Sequence, residues 1–178
     1  MSFISITNAI DRLNDAAGFI AKWLVLLACV VSATNATVRY LLNYSSNGWL
    51  EIQWYMFGGM VFLGAAQTLR LNEHVRVDVL YSWVSDRTRL WIDILGICIF
   101  LLPAMFYLLY LTWPFFLRSF ELHEYSNNAG GLLLWPIKAV LPLGFALLIL
   151  QGISELIKRI AAIVGLMKID THYEAPLQ

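Results

Sequence analysis

An all-α membrane protein built on four tilted transmembrane helices is the fold class this sequence predicts, and three observations predict it. The 178 residues are 60% hydrophobic and only 13% charged, whereas a soluble domain runs near 45 to 50% apolar and about a quarter charged. The apolar residues gather into four runs, each longer than the roughly 20 residues needed to cross a hydrocarbon core about 30 Å thick. Charged residues collect at or between the ends of those runs, and tryptophans mark several of the ends, as interfacial aromatics do.

Taken in order, the chain opens with a segment in which Phe3, Ile6, Ile10, Leu13 and Ala17 recur at helical spacing opposite Asp11, Arg12 and Asp15. That pattern predicts an amphipathic helix lying in the interface before the chain turns inward. The first span covers residues 19–42 and the second 50–71. The third and fourth, 90–116 and 132–164, exceed the minimum length, so they are tilted or run on into water. Pro103 and Pro142 fall inside these last two spans, where a kink is tolerated if neighbours satisfy the freed carbonyl. Gly58, Gly59 and Gly64 in the second span suit close helix packing. Between spans two and three, Val75, Val79, Trp83 and Val84 predict a short interfacial helix rather than an unpaired strand. The tail from Asp170 to Gln178 is polar and reads as loose. No internal repeat or low-complexity segment is present, so residues 1–178 form one membrane domain.

Nine of the twelve basic residues fall on one side of this arrangement: Arg12 and Lys22, then Arg70, Arg76, Arg87 and Arg89, then Lys158, Arg159 and Lys168. Arg39, Arg118 and Lys138 fall on the other. The positive-inside rule therefore places both termini and the middle link in the cytoplasm. Trp49, Trp113 and Trp135 mark the outer interface, Trp83 and Trp91 the inner one.

Several function classes are disfavoured. Twelve basic residues balance twelve acidic ones and no basic face offers itself to nucleic acid, so partners beside or inside the bilayer are expected. Cys29 and Cys98 each sit deep in an apolar run, where free Cys behaves as a small hydrophobe. His74, His123 and His172 all lie outside the middles of the spans, which removes the axial ligands a membrane haem protein needs. No signal-peptide cleavage pattern is evident, and the N-terminus reads as retained. No phosphate loop, no metal cluster and no cofactor are expected.

Polar groups inside spans are candidates for function by default. Asn35, the deepest, suits an interhelical hydrogen bond. Arg39 closes span one and Glu51 opens span two, close enough in sequence for a structural clasp. Gln67 lies near the end of span two, and Gln151 and Glu155 lie in span four. Asp93 follows Arg89 by four residues and Arg159 follows Glu155 by four, so both carboxylates read as interface-level ion pairs. Glu121, His123 and Glu124 form a loop suited to solvent or partner contact. Arg70, Glu73, His74, Arg76 and Asp78 make a compact charged knot that fixes a surface helix and its depth in the lipid. These spans carry no continuous polar route, which points to a scaffold or partner rather than a complete transporter or enzyme.

The residues also carry a family pattern. Arg39 and Tyr40 close the first span; Trp49 and Glu51 open the second; FLGAA stands at 62–66 and HVRVD at 74–78; Pro136 and LPLGF at 141–145 lead into the last span. In this order and spacing the chain resembles the small membrane subunit, the Q type, of tripartite ATP-independent periplasmic transporters. Many members carry two adjacent carboxylates after that tryptophan, whereas here Glu51 is followed by Ile52 and Gln53. The resemblance implies an accessory subunit in a bacterial inner membrane that pairs with a large multispan M-type subunit. That larger subunit holds the sodium and substrate sites and moves in an elevator-like manner. A periplasmic substrate-binding protein delivers an organic acid, and the form WLEIQWYMF is similar to members taking up mannitol, chloroaromatic or 2-oxo acids. Two readings from other classes stand beside it: a membrane anchor of a redox enzyme, and a small homo-oligomeric transporter.

Overall fold

The computed structural model describes residues 2–72 and 84–167. Every regular element among them is helical: α1 (Ser2–Leu42), α2 (Asn47–Leu71), α3 (Asp86–Gly96), a π-helical turn (Ile97–Leu101), α4 (Leu102–Glu121) and α5 (Trp135–Ile163). The starts of α1 and α3 and the ends of α2 and α5 lie at what we term the basal end. The opposite, loop end carries the α1–α2 turn and the segment joining α4 to α5. Glu73, His74, Arg76, Asp78 and the interfacial helix expected around them lie outside the described residues, as does the tail.

Among the described residues three stretches are long and apolar enough to cross a membrane: Ser5–Leu42, Asp86–Glu121 and Trp135–Ile163. The expected second span falls on α2, which has the length, with 25 residues, but not the hydropathy. Asn47, Glu51, Gln53, Gln67, Arg70 and its glycines dilute the apolar content.

The N-terminal segment and first span form one helix of 41 residues, about 60 Å long at 1.5 Å per residue. This corrects the expectation of a separate interfacial helix followed by a turn: between Ser2 and Leu42 there is no proline, and the lone Gly18 keeps helical geometry. Part of the polar side, expected to meet water, turns into the bundle instead, with Asp11 on Lys158 and Asp15 on Arg70. Thr7, Asn14, Ala17 and Ala21 point into the bundle, while Ile6 and Leu13 are about half exposed, at 50% and 49%. In hydrocarbon the apolar residues have no reason to hide, and the polar ones turn inward to find partners.

The third span is α3, the π turn and α4 run together. Leu102 N–H bonds to Ile97 O, five residues back, immediately before Pro103, which has no N–H to continue the four-residue ladder. Pro142 lies within α5 and is buried.

α5 is the centre of the bundle, packing against α1, α2, α3 and α4. Half of its apolar window is buried, against 11% for the α3–α4 stretch, so α4 presents most of its surface outward. Small residues let the backbones approach. A side chain at Gly144 would begin 2.8 Å from the Phe62 carbonyl oxygen of α2. Gly58 and Gly59 face Ile137 of α5 and Leu24 of α1 respectively. Phe62 and Phe145 meet edge to face with centroids 5.5 Å apart.

Candidate functional site

The buried polar groups segregate to the two ends of the bundle. At the basal end, α5 carries Gln151, Ser154, Glu155, Lys158 and Arg159 at helical spacing, a polar stripe in an otherwise apolar helix. α1 supplies Asp11, Asn14 and Asp15 on the facing side, and α3 supplies Asp93.

Gln151 is the hub. Fully buried, it accepts a hydrogen bond from Asn14 Nδ2 at 2.6 Å. Its own Nε2 donates to Asp11 Oδ1 at 3.1 Å and to Glu155 Oε1 at 3.0 Å. Lys158 Nζ bridges the same two carboxylates, 2.7 Å from Asp11 Oδ2 and 3.0 Å from Glu155 Oε1. Ser154 Oγ donates to Asp11 Oδ1 at 3.2 Å. Arg159 then ties α3 in, with Nε 2.9 Å from Asp93 Oδ2 and Nη1 on Glu155 Oε2. A second set joins α1 to α2: Arg70 Nη2 lies 2.6 Å from Asp15 Oδ1, and Gln67 Nε2 donates to the same oxygen at 3.3 Å. Each buried charge here has an opposite charge within hydrogen-bond reach, which an ion inside a low-dielectric bundle requires.

The Glu155–Arg159 pair was legible from its spacing. Asp93, for which spacing suggested Arg89 as partner, has a cross-helix partner in Arg159, and Arg89 Nη1 lies 3.2 Å from Asp86 Oδ1. Asp11 and Asp15, expected with Arg12 on the polar face of an interfacial helix, form the α1 half of the network together with Asn14. The signal that points to them is their i, i+3, i+4 spacing opposite a polar stripe on another span.

At the loop end Glu51 is buried in the first turns of α2, and it does not clasp Arg39. Its carboxylate instead pins the α4–α5 connection, accepting from Asn128 Nδ2 at 2.7 Å, from Leu132 N at 2.7 Å and from Ser126 Oγ. Tyr55 donates to Leu133 O at 2.9 Å and Asn47 Nδ2 to Ala129 O at 3.3 Å. The connection is tight: Gly130 takes a φ of +71°, and Gly131 packs so closely that a Cβ would lie 2.6 Å from Ser126 Cβ. An isolated bridge joins Tyr125 to Leu133. Beside it, Glu124 pairs with Lys138 at the start of α5, whose ammonium also lies 4.3 Å from the centroid of the Phe115 ring. The hydrogen bond from Lys138 holds the Glu124 carboxyl below its ordinary pKa of 4.5.

Asn35 makes no hydrogen bond among the described residues; with the exposed Arg39 it lines a recess between α1 and α2. Among those residues no set of three His, Cys, Asp or Glu side chains gathers to hold a metal ion. Chemically, the arrangement fastens helices together at both ends of an apolar middle.

A family model described as "Tripartite ATP-independent periplasmic transporters, DctQ component" matches residues 28–162, more than half of the chain. Neither a curated protein nor a solved structure matches it.

Proposed function

Because the chain belongs to the DctQ component family of the tripartite ATP-independent periplasmic transporters, we propose that it is the small scaffold subunit of a sodium-coupled, binding-protein-dependent transporter of organic acids, 2-oxo acids among them. It is a transporter component and not an enzyme. In this reading it sits in a bacterial inner membrane, pairs with the large multispan subunit, and works alongside a periplasmic substrate-binding protein.

The observation that carries this reading is the commitment of the buried polar groups to one another. Gln151, Glu155, Lys158, Arg159, Asp93 and Asp11 are consumed by mutual contacts at the basal end, and Glu51 by the loop it holds. Between the two ends the helix middles are apolar. A subunit so arranged resists deformation and leaves substrate and ion handling to its partner.

α2 is the fourth crossing in this reading, with both termini cytoplasmic. Residues 52–69 carry no charge and extend about 27 Å as helix, near the thickness of a hydrocarbon core. Glu51 and Arg70 bracket that stretch, and packing against α1 and α5 shelters its less apolar positions.

Sodium-driven uptake of a labelled organic acid into proteoliposomes tests the proposal. Removing this chain should abolish uptake while the isolated periplasmic protein still binds the acid, and the purified chain should bring down a much larger multispan partner. Full uptake by the large subunit alone would defeat the scaffold role. Haem bands in the absorbance spectrum of the complex would support a redox anchor instead, and a homo-oligomer without a larger partner would support a self-contained transporter.

A further inference from the structure

One side of α1 leaves a groove along its seam with α2. Near the basal end Gly18, Ala21, Lys22 and Val25 face Gly64 and Thr68 across a recess of about 450 Å³. Near the loop end Ser32, Asn35, Ala36 and Arg39 face Leu50 and Gln53 across a recess of about 550 Å³. These α1 positions recur every three or four residues, so the two recesses lie along one seam.

The outer recess is built for an anion. Its lining includes a guanidinium and several amides but no carboxylate. Among the described residues Arg39 has no ion-pair or hydrogen-bond partner, and the Asn35 amide has none either. Gln53 spends its Nε2 on Trp49 O at 3.1 Å. Leaving a guanidinium unpaired beside a helix seam is costly in hydrocarbon, so its depth matters. Tyr40 lines the recess, and Tyr44 and Trp54 follow its lining residues Asn43 and Gln53 in the chain; at 85%, 60% and 68% exposure these are the amphipathic rings that settle at headgroup level. Lys22, also without an ion-pair partner among the described residues, stands 17 positions away on the same seam. At 1.5 Å per residue that is about 25 Å, close to the separation of the two hydrocarbon boundaries. A carboxylate from a neighbouring protein would meet one of these cations by coincidence of its sequence, whereas a bilayer supplies anions at both planes.

We propose that the outer recess is a binding site for a phospholipid headgroup, with the Arg39 guanidinium paired to the phosphodiester and Asn35 donating to it. The acyl chain follows the seam past Ala36 and Ser32. Because no carboxylate balances Arg39 there, an anionic glycerophospholipid is favoured over a zwitterionic one.

The test is native mass spectrometry of the full chain purified in detergent, with phosphatidylglycerol or phosphatidylcholine added. One phosphatidylglycerol per chain should persist at activation energies that strip the loosely held lipids. Arg39→Gln should weaken its retention about tenfold or more, the loss of one hydrogen bond to a charged group. Ala36→Phe, which fills the recess and keeps the charge, should weaken it as well, while Lys22→Gln should leave it intact. Retention unchanged in both Arg39→Gln and Ala36→Phe would overturn the proposal. So would displacement by millimolar inorganic phosphate, which would mark a free-anion site. Loss of the large subunit from Arg39→Gln complexes with lipid retention unchanged would assign Arg39 to a protein carboxylate instead.

Discussion

Replacing Gln151 by Leu removes the hub of the basal network without changing side-chain size greatly, and its cost can be worked from the contacts. Asn14, fully buried, has one polar atom satisfied, its Nδ2 on Gln151; its Oδ1 has no hydrogen-bond partner. The substitution leaves the whole amide orphaned, at about 1–3 kcal/mol for the stranded donor. Asp11 and Glu155 each lose a hydrogen bond but keep Lys158, so the added loss at the carboxylates is small. The total is about 3 kcal/mol, which for a chain of this size lowers the midpoint of thermal unfolding by about 6–12 °C. Circular dichroism of the full chain in detergent reads it. The decisive comparison is Asn14→Leu combined with Gln151→Leu: removing both partners of a buried hydrogen bond costs far less than removing one, so the double variant should recover about 2 kcal/mol relative to Gln151→Leu. An unchanged midpoint in Gln151→Leu would refute the reasoning, as would a double variant less stable than that single one.

Arg159→Leu takes one partner from each of Asp93 and Glu155, the latter keeping Lys158 and Gln151, and should cost up to about 3–5 kcal/mol, seen as loss of a monodisperse peak on gel filtration; adding Glu155→Leu should restore part of it. Gly144→Leu forces a side chain against the Phe62 backbone and should destabilise by about 1–3 kcal/mol or more. Gly96→Ala meets nothing within 4 Å and should stabilise α3 by up to about 1 kcal/mol, both by thermal unfolding. Glu124 titrates below its ordinary value because Lys138 holds its charged form. Its contribution is therefore present above pH 4.5 and lost as pH falls through the depressed value. Hydrogen exchange at the amides of 125–133, corrected for intrinsic rate, should accelerate on acidification more in the natural chain than in Glu124→Gln, where the Glu51 carboxylate that accepts from the same segment remains.

The helices were legible because hydropathy needs no knowledge of partners. Expected boundaries at 90–116 and 132–164 compare with helical stretches Asp86–Glu121 and Trp135–Ile163. The Glu155–Arg159 pair was legible because one helical turn separates its members. What stayed hidden depends on distant pairing: Asn128, 77 positions from Glu51, and Arg159, 66 positions from Asp93, have no local signature. Nearness in sequence suggested Arg39 for Glu51, but the α4–α5 connection offers Glu51 a main-chain N–H, an amide and a hydroxyl together. Arg70 was placed correctly at the end of α2, yet its partner Asp15 was assigned to water.

The polar side of α1 explains why the N-terminal segment was the hardest to read. A stripe of Phe3, Ile6, Ile10 and Leu13 opposite Asp11 and Asp15 means burial of the apolar side when water is the solvent. Where the helix continues into a span, Ile6 and Leu13 face outward and the carboxylates meet Lys158 and Arg70. The periodicity is identical in the two cases; only the solvent reverses its meaning. Asp11, Asn14 and Asp15 precede the family match, which begins at residue 28, yet their partners Gln67, Arg70, Gln151 and Lys158 lie inside it. The long first helix therefore completes a network whose other half the family region supplies. Its removal would leave Lys158 with Glu155 alone and Arg70 without its carboxylate.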